Sequence, residues 1–188
     1  MTFAKTLLSA TTAIALTAGA AFADHHGENP MVGGAEMFAD KNIVENAVNS
    51  ADHTTLVAAV TAAGLVDTLA SDGPFTVFAP VNSAFAALPE GTVETLLMPE
   101  NIDQLTTILT CHVVGAEVMS EALLGMIEDD GGKHPVPTLG GCTLQASYVD
   151  GVVMLEDENG TVANVTIADV KQSNGVIHVI DAVMLPAM

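Results

Sequence analysis

Ten residues near the end of the chain, Val176 to Leu185, are almost all β-branched or apolar, with one His (His178) and one Asp (Asp181) among them. Alternate residues of a strand point to opposite sides, and both sets here are apolar, so the segment predicts a strand covered on both faces. Asn174-Gly175 in front supplies a turn, and Pro186 behind cannot continue a ladder. Such a strand requires a layer on each side, and the rest of the chain divides into two parts able to supply them.

The first part reads as helix. Ile43, Val44, Ala47 and Val48 form one short apolar face, and Leu56, Val57, Val60 and Ala63 form the next, with Asp52 or Thr54 as its cap. Leu65, Val66 and Leu69 resume the spacing after Gly64, and Ser71-Asp72-Gly73-Pro74 ends it. Phe75 to Ala79 is a short β run. Asn82 or Ser83 can then cap a helical turn through Phe85 that Pro89 stops. Thr92 to Leu97 and Ile102 to Leu109 are amphipathic, His112 to Val114 reads as strand, and Ser120 caps Glu121 to Met126. Glu128 to Gly132 reads as loop.

From Thr138 the pattern changes to a meander. Asp150-Gly151, Asn159-Gly160 and Asn174-Gly175 separate β-rich runs, and each pair is a hairpin turn signal. Helices first and strands after predict an α+β fold rather than alternating α/β. The expected core rests on Phe75, Phe78, Phe85, Val113, Ile177 and Ile180.

The N-terminus has the marks of an export signal: Lys5, an apolar run from Leu7 to Ala18, and Ala21-Phe22-Ala23 as a cleavage site ending at Ala23. Residues 1–23 are therefore set apart as a signal peptide, 24–41 as a flexible polar tail, and 42–188 as the folded domain, placed in the periplasm or outside the cell. With 23 acids against four lysines and no arginine, the whole chain carries −19, and loss of Lys5 leaves −20. Such a surface repels phosphate backbones and anionic lipid heads, which argues against nucleic acid and membrane insertion and favours a monomer that repels its own copies. In an oxidising compartment Cys111 and Cys142 either pair or remain two buried thiols.

Three blocks together resemble the fasciclin domain family. Phe75 to Phe85 is similar to its first box and Gly175 to Pro186 to its second. Cys111-His112-Val113-Val114 stands where the family usually has Tyr-His. The resemblance implies a wedge-shaped β-sandwich of about seven strands with helices packed along one side. It also implies a non-catalytic adhesion module with no cofactor, which meets protein or polysaccharide at a cell surface or matrix. Cys111 departs from the pattern and removes any role resting on the phenol, leaving His112 as a candidate binding residue. In some animal members an Asp-Ile pair before the second box is linked to integrin binding, and Asp169-Val170 occupies that place here. An Asp simply facing water is the plainer reading, and a bacterial-type export signal argues against an animal integrin.

Other chemistry has weaker support. A hydrolase reading pairs His112 or His178 with Asp181 and a serine, but no Gly-x-Ser-x-Gly elbow is present, and buried imidazoles bonded to the core explain both. Cleavage after Ala23 exposes Asp24-His25-His26. Its amine, two backbone nitrogens and the His26 imidazole suit square-planar Cu(II) or Ni(II). The acidic runs Glu128 to Asp130 and Glu156 to Glu158 read as solvated turns rather than Ca²⁺ loops.

Overall fold

The computed structural model describes residues 29–187. The signal peptide, its Ala23 cleavage site and the Asp24-His25-His26 metal site lie outside the described residues. The strands are β1 (Met31–Val32), β2 (Ala35–Glu36), β3 (Phe75–Pro80), β4 (Val113–Val114), β5 (Lys133–Pro137), β6 (Thr143–Val149), β7 (Val152–Glu156), β8 (Val162–Gln172) and β9 (Gly175–Ile180). The helices are α1 (Ile43–Ala47), α2 (Thr54–Ala62), α3 (Val66–Leu69), α4 (Asn82–Ala86), α5 (Thr92–Leu96), α6 (Ile102–Thr110) and α7 (Ser120–Asp129).

Strand β9 lies between β3, which runs parallel to it, and β8, which runs antiparallel. All six of its residues are buried, as an apolar set on both faces requires. Gly175 opens it because a Cβ there would meet the Phe75 carbonyl oxygen at 2.0 Å, so only glycine lets the two strands converge. The strand is shorter than its apolar run. It stops at Ile180 because the Asp181 carboxylate accepts from the backbone N–H (2.7 Å) and side-chain amide (2.8 Å) of Asn164. The chain beyond is irregular, yet Val183 and Met184 remain buried.

The sheet runs β4-β3-β9-β8-β7-β6-β5. Its long strand β8 pairs with β7 through Val162–Asn164 and with β9 through Val165–Gln172. Register shifts on either side of Ile167 let it change partners, since each bulge bends and twists a strand. The seven strands thus wrap, barrel-like, about an interior, with helices against the other side of β3 and β9: an α+β fold. Among residues of the wrapped interior are Phe78, Leu144, Leu155, Ile180 and Met184, with Leu123 and Ile127 of α7. Outside it, Val77, Ala79, Ile177 and Val179 meet Leu56 and Val60 of α2 and Leu105, Ile108 and Leu109 of α6. Of the six expected core residues, Phe75 alone is only partly buried.

Several expectations are corrected. Residues 30–41 are not a loose tail: β1 and β2 form a small hairpin that sets Val32 and Met37 into the core beneath the helices. Strand β5 precedes the expected start of the meander, with Pro135 and Pro137 on an edge that needs fewer N–H donors. Asn82 does not cap its own helix. Its Oδ1 instead accepts from the Thr55 N–H at 3.0 Å, so it caps α2, and its amide donates to the Ala51 carbonyl at 2.8 Å.

Candidate functional site

His112 follows the last turn of α6 and leads into β4. It is 2 % exposed. Its Nδ1 lies 2.7 Å from the Ile108 carbonyl, and its Nε2 accepts the Met184 N–H at 2.9 Å, which assigns the proton to Nδ1. Burial pulls its pKa from 6.5 to about 4, against the opposing pull of the Ile108 carbonyl and Asp157. The candidate binding role is therefore corrected: the imidazole ties α6 to the C-terminal segment and offers no free nitrogen to a partner.

His178, on β9, stacks on Phe78 with ring centroids 5.7 Å apart. Its Nδ1 accepts from the Asp169 N–H at 3.2 Å and its Nε2 donates to the Val118 carbonyl at 2.8 Å. Burial lowers its pKa too, opposed by the Val118 carbonyl and Asp169. Asp169 sits at the β8 bulge with φ of 58°, a conformation Asp tolerates better than most residues. Its carboxylate accepts from the Ser120 N–H at 2.7 Å and from the Ser120 hydroxyl, capping α7 from a distant strand. Ser120 thus does not cap the helix that it begins. Thr76 completes the strut, donating to the Ala116 carbonyl at 2.6 Å and accepting the Val118 N–H at 2.8 Å.

Ser120, Asp169 and His178 are the residue types of a hydrolase triad in the wrong wiring. The carboxylate bonds to the serine, and the imidazole bonds to two backbone groups. Asp181 is spent on Asn164. The Asp169-Val170 pair is also corrected as a contact motif, because Val170 is 0 % exposed and the Asp169 carboxylate holds a helix.

The acidic run at the β7–β8 turn is a clasp rather than a solvated loop. Asp157 is buried and accepts from the N–H groups of Asn159, Thr161 and Leu185 at 2.8 to 2.9 Å. Glu158 accepts from Ala187 and Thr143, bonds that hold its pKa below the ordinary value. Glu156 pairs with Lys133 at 2.6 Å. Cys111 and Cys142 are joined, with Cα atoms 5.4 Å apart, so a covalent tie runs from the end of α6 to the start of β6. Among the described residues no group of three or more His, Cys, Asp or Glu side chains is arranged to hold a metal ion.

Two polar clamps escaped the sequence reading. Asn174 accepts the Ile43 N–H at 3.0 Å and donates to the Leu69 and Ser71 carbonyls at 2.8 Å, joining α1, α3 and the β8–β9 turn. Asn46 is fully buried, bonded to both backbone groups of Phe38 and to Gln172. Its position three residues after Ile43, on the face that should be apolar, was the available signal.

With these polar side chains committed inward, the tip of the meander carries an uncommitted surface. Tyr148, Val149 and Val152 are each 38 to 49 % exposed. Val149 and Val152 face each other across the Asp150-Gly151 turn, whose positive φ angles of 52° and 88° fit a tight hairpin.

A fasciclin domain model matches residues 51–186. Protein sll1483 of Synechocystis sp. is 49 % identical over 146 residues, spanning 78 % of this chain and 74 % of that one. Transforming growth factor-beta-induced protein ig-h3 of Sus scrofa is 37 % identical over 131 residues, 70 % of this chain and 17 % of that longer one. In structure, the FAS1 domain pair of the insect cell adhesion molecule fasciclin I superposes with a TM-score of 0.69 at 20 % identity, covering 77 % of this chain and 51 % of that one.

Proposed function

The chain belongs to the fasciclin domain family, and we propose that it is an exported, non-catalytic binding module that attaches cells or matrix by gripping a surface protein. The observation that carries the reading is the division of side chains. His112, His178, Asp157 and Asp169 are consumed in holding the architecture, while Tyr148, Val149 and Val152 stand exposed at the β6–β7 hairpin tip. Exposed apolar and aromatic side chains are what an interface uses, here on both faces of the hairpin tip, and Tyr adds area at little entropic cost. The net charge of −19 favours a partner with a basic rim, since complementary charge raises the encounter rate. The insect relative in fold is named as a cell adhesion molecule, which supports an adhesive role.

The test uses the protein immobilised on beads and native envelope or matrix material. Specific retention, lost in Val152→Asp and Tyr148→Ala variants of unchanged melting temperature, is the expected result. Equal retention by wild type and both variants removes the hairpin tip as the contact surface. Retention that survives protease but not glycosidase replaces the protein partner with a polysaccharide.

A further inference from the structure

The helical layer does not close on the sheet. Between α1, α2 and α3 on one side and β3, β9 and the end of α6 on the other lies a cavity of about 140 Å³. Leu56, Val60, Leu69, Val77 and Ile177 are among its walls. None of its lining residues carries a formal charge. The polar ones are three threonines and His112, whose two ring nitrogens already have partners. Val48 and Leu139, both more than half exposed, belong to the same lining, so the space communicates with the surface through apolar side chains.

We propose that this cavity is a binding site for a small neutral hydrocarbon, or for the hydrocarbon end of a longer neutral molecule. Size supports this: an apolar cavity of about 150 Å³ stays dry and admits benzene. Chemistry narrows it further. A carboxylate or phosphate taken inside would find no cation in the lining and would approach through an acid-rich surface. A peptide would bring amide groups for which the walls hold no free partners. A hydrocarbon has no polar group to desolvate and restores the dispersion contacts that an empty cavity denies its lining.

The site is separate from the hairpin tip and stands whether or not that tip is adhesive. The experiment titrates the full chain calorimetrically with toluene and, separately, with benzoate, a ring of similar size bearing a charge. A saturable heat and a raised melting temperature with toluene, and neither with benzoate, is the expected result. Ala47→Leu, which adds bulk to one wall of the space, should abolish the toluene heat. Methyl NMR shifts at Val60, Leu69 and Ile177 locate the ligand without any substitution. Absence of a saturable heat up to the solubility of toluene, shifts confined to other methyl groups, or equal binding of benzoate each overturns the proposal.

Discussion

The two faces of the β3–β9 pair are packed by different means. On the meander side Phe78, Leu123, Leu144, Leu155, Ile180 and Met184 are among the largest fully enclosed side chains of the molecule. On the helical side the walls are helices of four to nine residues, and a cavity of about 140 Å³ remains among them. Strand pairing sets the register of the meander residue by residue, so its inward side chains arrive in one arrangement. Helices this short have little stability alone and are placed by what holds their ends. Asn82 and Asn174 do that by bridging the backbones of separate segments, and Asn46 ties α1 to the Phe38 backbone and the Gln172 side chain. A layer located by its ends can be well placed and still incompletely filled in its middle.

The largest expected effect probes this contrast directly. Ile180→Ala on the meander side should cost about 4 kcal/mol in chemical denaturation, because its surroundings have no freedom to collapse. Leu56→Ala, beside the existing cavity under helices that can shift inward, should cost about 2.5 kcal/mol. Equal losses would break the contrast between the layers.

Reduction of the Cys111–Cys142 bridge sharpens it, since the bond ties α6 to β6 across the two regions. The 31-residue separation corresponds to about 3.7 kcal/mol of chain entropy. The drop in melting temperature with dithiothreitol measures it, and an unchanged melting temperature would mean that the layers hold together without it.

Acidification should act next. His112 is held down to about 4 in the fold against 6.5 when free, so the unfolded chain binds the additional proton. Stability contributed by its neutral form is complete above pH 6.5 and is lost as pH falls toward 4, by up to about 3 kcal/mol. His178 and His53 shift in the same direction. Denaturation midpoints at pH 7 and pH 4.5 check the sign, and His112→Gln should flatten the dependence. A dependence unaltered in that variant would assign the effect to the other two histidines and to Glu158, whose pKa is also held down.

The smallest effect concerns one cap. Asp169→Asn keeps a residue tolerant of positive φ but removes the charge at the start of α7, and should cost about 1 kcal/mol. Hydrogen exchange should then rise selectively in the first turn of α7. Exchange rising equally across the helical layer would show that Asp169 serves both regions.

The order of helices before strands, the three hairpin turns, and a last strand apolar on both faces were legible in the residues, because each is written in local spacing. The segment 30–41 was not, because Val32 and Met37 are isolated apolar residues in a polar stretch and show no period. The candidate site was legible only as a set of residue types. His112, Asp169 and Val170 were expected as binding residues, but whether a side chain faces a partner or the core is not a local property.

The amino-acid order alone therefore determined the succession of helices before strands, the double enclosure of β9 and the acidity of the chain, since periodicity, turn chemistry and charge count need no distant neighbour. Only the tertiary structure decided where β9 ends, which helix Asp169 caps, and that a void lies beneath the helices. Those outcomes depend on groups dozens of residues apart meeting within hydrogen-bond or contact distance, and a distance between remote residues has no signature in spacing along the chain.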